Sequence, residues 1–392
     1  MTVANNLTAF MPTFYTGLNK VQQEQTDLID ACNMNAILEE AVVGQSINYP
    51  IAAAATIIDT PSAAVPSADG QTAGSGSLSL SKSKSAIIQY NGEEIQQLQL
   101  GGIYATYYAD QLAQAVRSLR KLVSADIVTA GVQGACRAVG TANATPFASV
   151  NVLTDFANPN KVFNDNGSPS TDRHLILNSA AVANIQGIQA TLFRANEAGT
   201  DRQLRTGTIG QVAGLNVGLD VMLQNIPTTS FGATGVAALN GAVTVGQTVI
   251  PVTVNPCTIS GTPQAGDIFT IAGDTEHLYV VKSYTTGSLT IQNPGIMKAI
   301  SSAAAVITFN STTFTPNLFF TRDAITLIAR QPRLAYSGPQ GQLLDKEVLP
   351  DPRSGLTYQL AMWQAGRSVI IEVALVWGVA VTNSQDLGIL LG

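Results

Sequence analysis

Charge is scarce in this chain. Asp, Glu, Lys and Arg make up 12% of its 392 residues, against ~25% in an ordinary soluble domain, so much of the surface is neutral and suited to burial against other protein. The formal net charge is −6, which argues against the Lys/Arg-rich face that dense contact with nucleic-acid phosphates requires. Only two histidines occur, His174 and His277, in no ligand spacing, so a histidine metal centre is not indicated. The three cysteines, Cys32, Cys136 and Cys257, are scattered and odd in number, which fits reduced thiols rather than a disulfide framework. The first residues, MTVANNLTAFMP, lack a basic stretch followed by an apolar core, so no signal peptide is read there. The longest apolar run, Val369 to Val381, is interrupted by Glu372 and is too short for the ~20 residues of a membrane helix; it reads as a buried strand.

From Gly17 to Gly44, Leu18, Val21, Leu28, Ile29, Ala36, Ile37 and Val42 recur at roughly helical spacing, predicting an arm helix, broken near Asn33 to Asn35. SINYPI (Ser46–Ile51), a tip of small residues and the alternating SLSLSKSKSAIIQY (Ser77–Tyr90) predict an extended hairpin with too few apolar groups for its own core. A long helix follows, Ile103 to Val139, with an apolar stripe at Tyr104, Tyr108, Leu112, Ala115, Leu119 and Leu122, Arg117, Arg120 and Lys121 on its wetter side, and Gly131 and Gly134 weakening its last turns. LILNSAAVANIQGIQA (Leu175–Ala190) passes from strand to helix, with Asn178 or Ser179 placed to cap it. Between Thr228 and Thr313 short Val/Ile/Thr-rich strands, at 243–245, 248–252, 267–271, 278–281, 288–291 and 305–309, are punctuated by Gly, Pro and Asn, the pattern of a small barrel or sandwich.

Catalytic chemistry finds no foothold in this pattern. GSGS at Gly74–Ser77 lacks nucleophile-turn spacing, GLNVGL at Gly214–Leu219 has too few glycines for a phosphate cradle, and Tyr104, Tyr107 and Tyr108 lack the basic neighbours of a base-stacking platform. No enzyme and no cofactor are therefore expected.

Two stretches carry a family likeness: NLFFTRDAITLIARQP (Asn317–Pro332) and the closing SVIIEVALVWGVAVTNSQDLGILLG (Ser368–Gly392). They resemble the carboxy-terminal segment of tailed-bacteriophage major capsid proteins, most closely the coat protein of the short-tailed Salmonella phage type. GTIGQVAGLNVGLDVML (Gly207–Leu223), GDIFTIAGD (Gly266–Asp274) and LTIQNPGI (Leu289–Ile296) extend the resemblance into the inserted domain of those coats. It implies an α+β chain of the Hong Kong 97-type fold: amino-terminal arm 1–45, extended loop 46–90, peripheral domain with spine helix 91–150, apical and peripheral core 151–227, inserted β-barrel domain 228–313, and return strands 314–392. It further implies a homo-oligomer of pentamers and hexamers enclosing a genome without sequence-specific binding, a separate scaffolding protein and a portal, no membrane, and residence in the virion after assembly in the host cytoplasm. Lys82 and Lys84, on one face of the hairpin, are candidate subunit contacts, although lysine also protects a solvated edge strand. Glu24, Asp27 and Asp30 are candidate scaffold contacts, although acidic residues also suit the first turns of a helix. A second reading is an extracellular β-rich adhesion or surface-layer protein, favoured by low charge and Thr/Ser/Gly-rich strands but not by the long lone helix.

Overall fold

The computed structural model describes residues 15, 17, 27–51, 74–100, 104–148, 152–188, 209–223, 235–253, 262–302, 304–310, 312–334, 337–338 and 341–392. Helices are α1 (Asp27–Ala31), α2 (Gly92–Leu100), α3 (Tyr104–Gly134), α4 (Val152–Asp165) and α5 (Ser179–Ile188). The first strands are β1 (Asn33–Ala41), β2 (Ser46–Ile51), β3 (Gly74–Ser79), β4 (Lys82–Asn91), β5 (Arg137–Val139), β6 (Arg173–Leu177), β7 (Gln211–Val212) and β8 (Leu215–Leu219). Six follow between residues 235 and 309: β9 (Gly235–Leu239), β10 (Val249–Thr253), β11 (Ile268–Ile271), β12 (Asp274–Thr285), β13 (Ser288–Ile291) and β14 (Val306–Phe309). The last are β15 (Pro316–Thr321), β16 (Ile325–Pro332), β17 (Ser337–Gly338), β18 (Gly341–Pro350), β19 (Thr357–Ala365), β20 (Ser368–Val381) and β21 (Leu387–Leu391).

The 31 residues of α3 span roughly 46 Å at 1.5 Å per residue, and the helix packs on strands of both large sheets. Its buried stripe is Tyr108, Leu112, Val116, Leu119, Val123 and Ile127, spaced three and four apart as one helical face demands. Three expectations fail here. Leu122 is 48% exposed, and Arg120, expected on the wet side, is buried with Nη1 3.8 Å from Asp351. The helix also ends at Gly134, five residues earlier than the pattern suggested. Gly131 and Gly134 serve close approach rather than fraying: a Cβ at Gly131 would lie 2.8 Å from Leu318 Cδ1, and one at Gly134 2.4 Å from Val381 Cγ2. Side chains there would push the helix off the strands.

One sheet runs β1-β16-β20-β19-β18-β17, with β4 on the other side of β20. The arm helix is therefore corrected in part: Gly17 and α1 are helical and residues 18–26 lie outside the described residues, but Asn33–Ala41 forms a strand parallel to β16, Asn33 opposite Thr326. Tertiary pairing overrides the helix propensity of its Ala, Leu and Glu residues. The long alternating segment also divides. β3 pairs with β2 as the expected hairpin, whereas β4 leaves it and lies along β20 from Ser368 opposite Asn91 to Trp377 opposite Lys82. The run Asn317–Pro332 is likewise two strands in different sheets, β15 and β16, separated by a 3-10 turn at Arg322–Ala324.

The second sheet includes β12-β5-β21-β15-β6-β8-β7. At its far end the pairings β11-β14-β9-β10-β13-β12 close, because β11 also pairs with β12. This ring of six strands encloses its own apolar cluster, including Phe269, Tyr279, Ile291, Ile296, Ile307 and Phe309. Closure leaves no free edge. Of the strands expected here, Val243–Val245 is reduced to one bridge, Val243 to Ile300, and β9 was not foreseen. Helices α2 and α4 were not foreseen either. Asn178 caps α5 as expected, its Oδ1 accepting from Ala181 N at 2.9 Å.

Candidate functional site

The hairpin β2–β3 forms a two-stranded sheet separate from the other two. Its outer residues Gly74 to Ser77 are exposed or half-buried, and its tip, 52–73, lies outside the described residues. Its root is seated firmly. Leu78 and Leu80 bury against Ala41, Ile328 and Val376, with Ile47 and Tyr49 beside them. Leu80 N donates to Gln45 O at 2.9 Å, and Ser81 N donates to Trp377 O at 3.1 Å. The chain crosses β20 directly over Gly378, where a Cβ would lie 2.0 Å from Ser79 O. Only glycine permits that approach.

Lys82 and Lys84 fall on β4, not on the hairpin. Lys82 Nζ reaches Asp126 Oδ1 on α3 at 2.6 Å, and Asp126 Oδ2 accepts from Trp377 Nε1 at 2.8 Å. One carboxylate thus ties β4 and β20 to the long helix, so Lys82 has a partner in its own chain. Lys84 is exposed.

Of the three candidate acidic residues, Glu24 lies outside the described residues. Asp27 and Asp30 both belong to α1, but only Asp30 is exposed. Burial and the neighbouring Asp27 raise the Asp30 pKa. Asp27 Oδ2 accepts from Leu219 N at 2.9 Å, across 192 residues of sequence. In return the Leu28 backbone N–H donates to the Asp220 carboxylate. Asp220 is fully buried; it also accepts from Ser124 Oγ on α3 at 2.9 Å and from Met222 N at 2.7 Å. No sequence signal pointed to Asp220, because besides the neighbouring Met222 its partners come from two distant elements, α3 and α1.

The cavities offer little chemistry. One of about 620 Å³ opens along α4 beside Leu153, Asn160 and Lys161. Another, about 330 Å³, lies at the seam between β12, β5 and α4. There His277 Nδ1 is 2.7 Å from Asp274 Oδ1, whose other oxygen accepts from Tyr279 Oη at 2.6 Å. Thr275 and Lys161 line that cavity with His277, but no serine or cysteine does. His174 is a satisfied core residue beside Asp172 and stacked on Phe320; burial lowers its pKa. Cys32 and Cys136 are buried free thiols; Cys257 lies outside the described residues. Tyr108 is core and Tyr107 is 46% exposed. Among the described residues no group of three or more His, Cys, Asp or Glu is placed to hold a metal ion, and no helix is long and apolar enough to cross a membrane.

No protein-family model matches the chain, and no curated protein does. Among solved structures it is similar to one from Mycobacterium phage Che8 (14% identity, TM-score 0.45, 94% of this chain and 92% of that one). It is also similar to the capsid of the cyanophage P-SCSP1u (11%, 0.46, 94% and 89%) and to a virus-like particle from Pyrococcus furiosus (10%, 0.43, 98% and 98%). At such identities and TM-scores these likenesses carry no inference about what the chain does.

Proposed function

We propose that the chain is the major capsid protein of a tailed double-stranded DNA bacteriophage, a shell subunit of the Hong Kong 97 type that assembles into pentamers and hexamers. The layout is the one the sequence resemblance implies, with residues 228–313 as an inserted β-barrel domain of the Salmonella-phage kind. The observation that carries this reading is the hairpin β2–β3: its root is clamped on β20, while its outer part pairs with no other described strand. A two-stranded ribbon is marginal in water by itself. A neighbouring subunit supplies the surface it lacks. The ring β9–β14 and the long helix against β4 and β20 agree with the same layout. In this reading Lys84 meets the adjacent subunit, Glu24 and Asp30 meet a scaffolding protein, and a portal occupies one vertex.

The test is to replace residues 52–73 with a short Asn-Gly turn. The shortened protein should keep its circular dichroism and its cooperative melting, because the root contacts remain, yet lose all fast-sedimenting assemblies. Assembly undiminished by the shortening would remove the hairpin from the interface and the proposal with it.

A further inference from the structure

The contact between α1 and the body of the protein is a crossed exchange. Asp27 of α1 accepts from the Leu219 amide at the end of β8, and Asp220, the next residue, accepts from the Leu28 amide of α1. The two segments pack closely, since a Cβ at Gly218 would lie 2.9 Å from Asp27 Cβ. Leu28 and Ile29 are fully buried beneath the exchange, and Ser124 ties it to α3. Asp220 is thus enclosed by three elements. Burial pushes its carboxyl up to about 6, and the charge of Asp27 adds to the rise, while the amides of Met222 and Leu28 and the Ser124 hydroxyl oppose it. The other charged or titratable groups at α1 are Asp30, which faces Asp27, Arg120, Asp351 and Arg322, and Cys32, which faces Asp220, Arg322 and Asp30.

We propose that this exchange is a proton-operated latch, in which Asp220 holds α1 against α3 and β8 more tightly when protonated than when ionised. Ionised, Asp220 is a fully buried charge with a second carboxylate, Asp27, nearby. Protonation removes that repulsion and the cost of burying charge. The docked value lies above the ordinary 3.8, so the docked state holds a proton over a pH range in which the released state has lost it. The added stability is complete below about 4 and is lost as pH rises through about 6. This holds whether or not the chain assembles.

Cys32 follows α1 directly and is 3% exposed, so its reaction with a disulfide reagent reports release of α1. Labelling of the full chain is followed by peptide mass spectrometry, with each rate divided by that of the denatured chain at the same pH. Between about pH 4.5 and 7.5 the opening of Cys32 should increase ten-fold or more, with a midpoint near 6. Cys136, buried in a different cluster, should stay protected throughout. Asp220→Asn should abolish most of the increase. Should that variant fail to fold, Asp27→Asn, which keeps an acceptor for Leu219 N but removes the charge, should move the midpoint to lower pH. An opening independent of pH, a parallel opening at Cys136, an undiminished increase in Asp220→Asn, or an unmoved midpoint in Asp27→Asn would each overturn the latch.

Discussion

Gly378 and Gly187 show how differently one residue type is used. At Gly378 an added Cβ meets the backbone carbonyl oxygen of Ser79 at 2.0 Å, and both chains there are held by strand pairing, so neither gives way cheaply. Gly378→Ala should destabilise the protein by ~1–3 kcal/mol, read from the urea midpoint. Gly187, inside α5, has nothing within 4 Å of a Cβ, and Gly187→Ala should stabilise by ~0.4–1 kcal/mol. Equal effects at the two positions would mean that the crossing over β20 is not a tight one. Sequence alone gave no means of telling these two glycines apart. Asp126 makes the same point with charge: nothing local marks it, yet it receives both Lys82 and Trp377.

Elements were legible where their own residues decide them. The closing apolar run became β20, its Glu372 accepting from Trp363 Nε1 at 3.1 Å, and α3 followed from a stripe repeated over many turns. The cap signal was local, and of the two candidates, Asn178 and Ser179, it is Asn178 that caps. β1 was illegible because its strand state depends on β16, nearly 300 residues away. Helix α2 was missed because the alternation before it was followed to Tyr90, although Glu94 Oε2 accepts from Asn91 N at 2.9 Å, a local helix-start signal. The split of the hairpin into β3 and β4 depends on β20 and could not be read from alternation. These elements should also differ in dynamics. In the free subunit the amides of β2 and β3 should exchange with deuterium faster than those of α3, because α3 is buried on both sheets and the hairpin is not. Slower exchange in the hairpin than in the helix would contradict this.

For the whole molecule, low charge and a hairpin that pairs with no other described strand fit the proposed association. Copies that bury neutral surface against one another stabilise the folded subunit by mass action, so an isolated subunit should be less stable than one within a shell. The family resemblance was read over nearly the whole chain, with its strongest motifs after Gly207, a stretch that includes the buried strands β15 and β21 of one large sheet and β16 and β20 of the other. Of the proposed contact residues, Lys82 and Lys84 were expected on the hairpin, whereas both lie on β4. The most direct test of the shell reading is negative-stain electron microscopy of the protein expressed with and without its neighbouring genes. Closed shells or capsomer rings are expected; a well-folded monomer under both conditions would contradict the account.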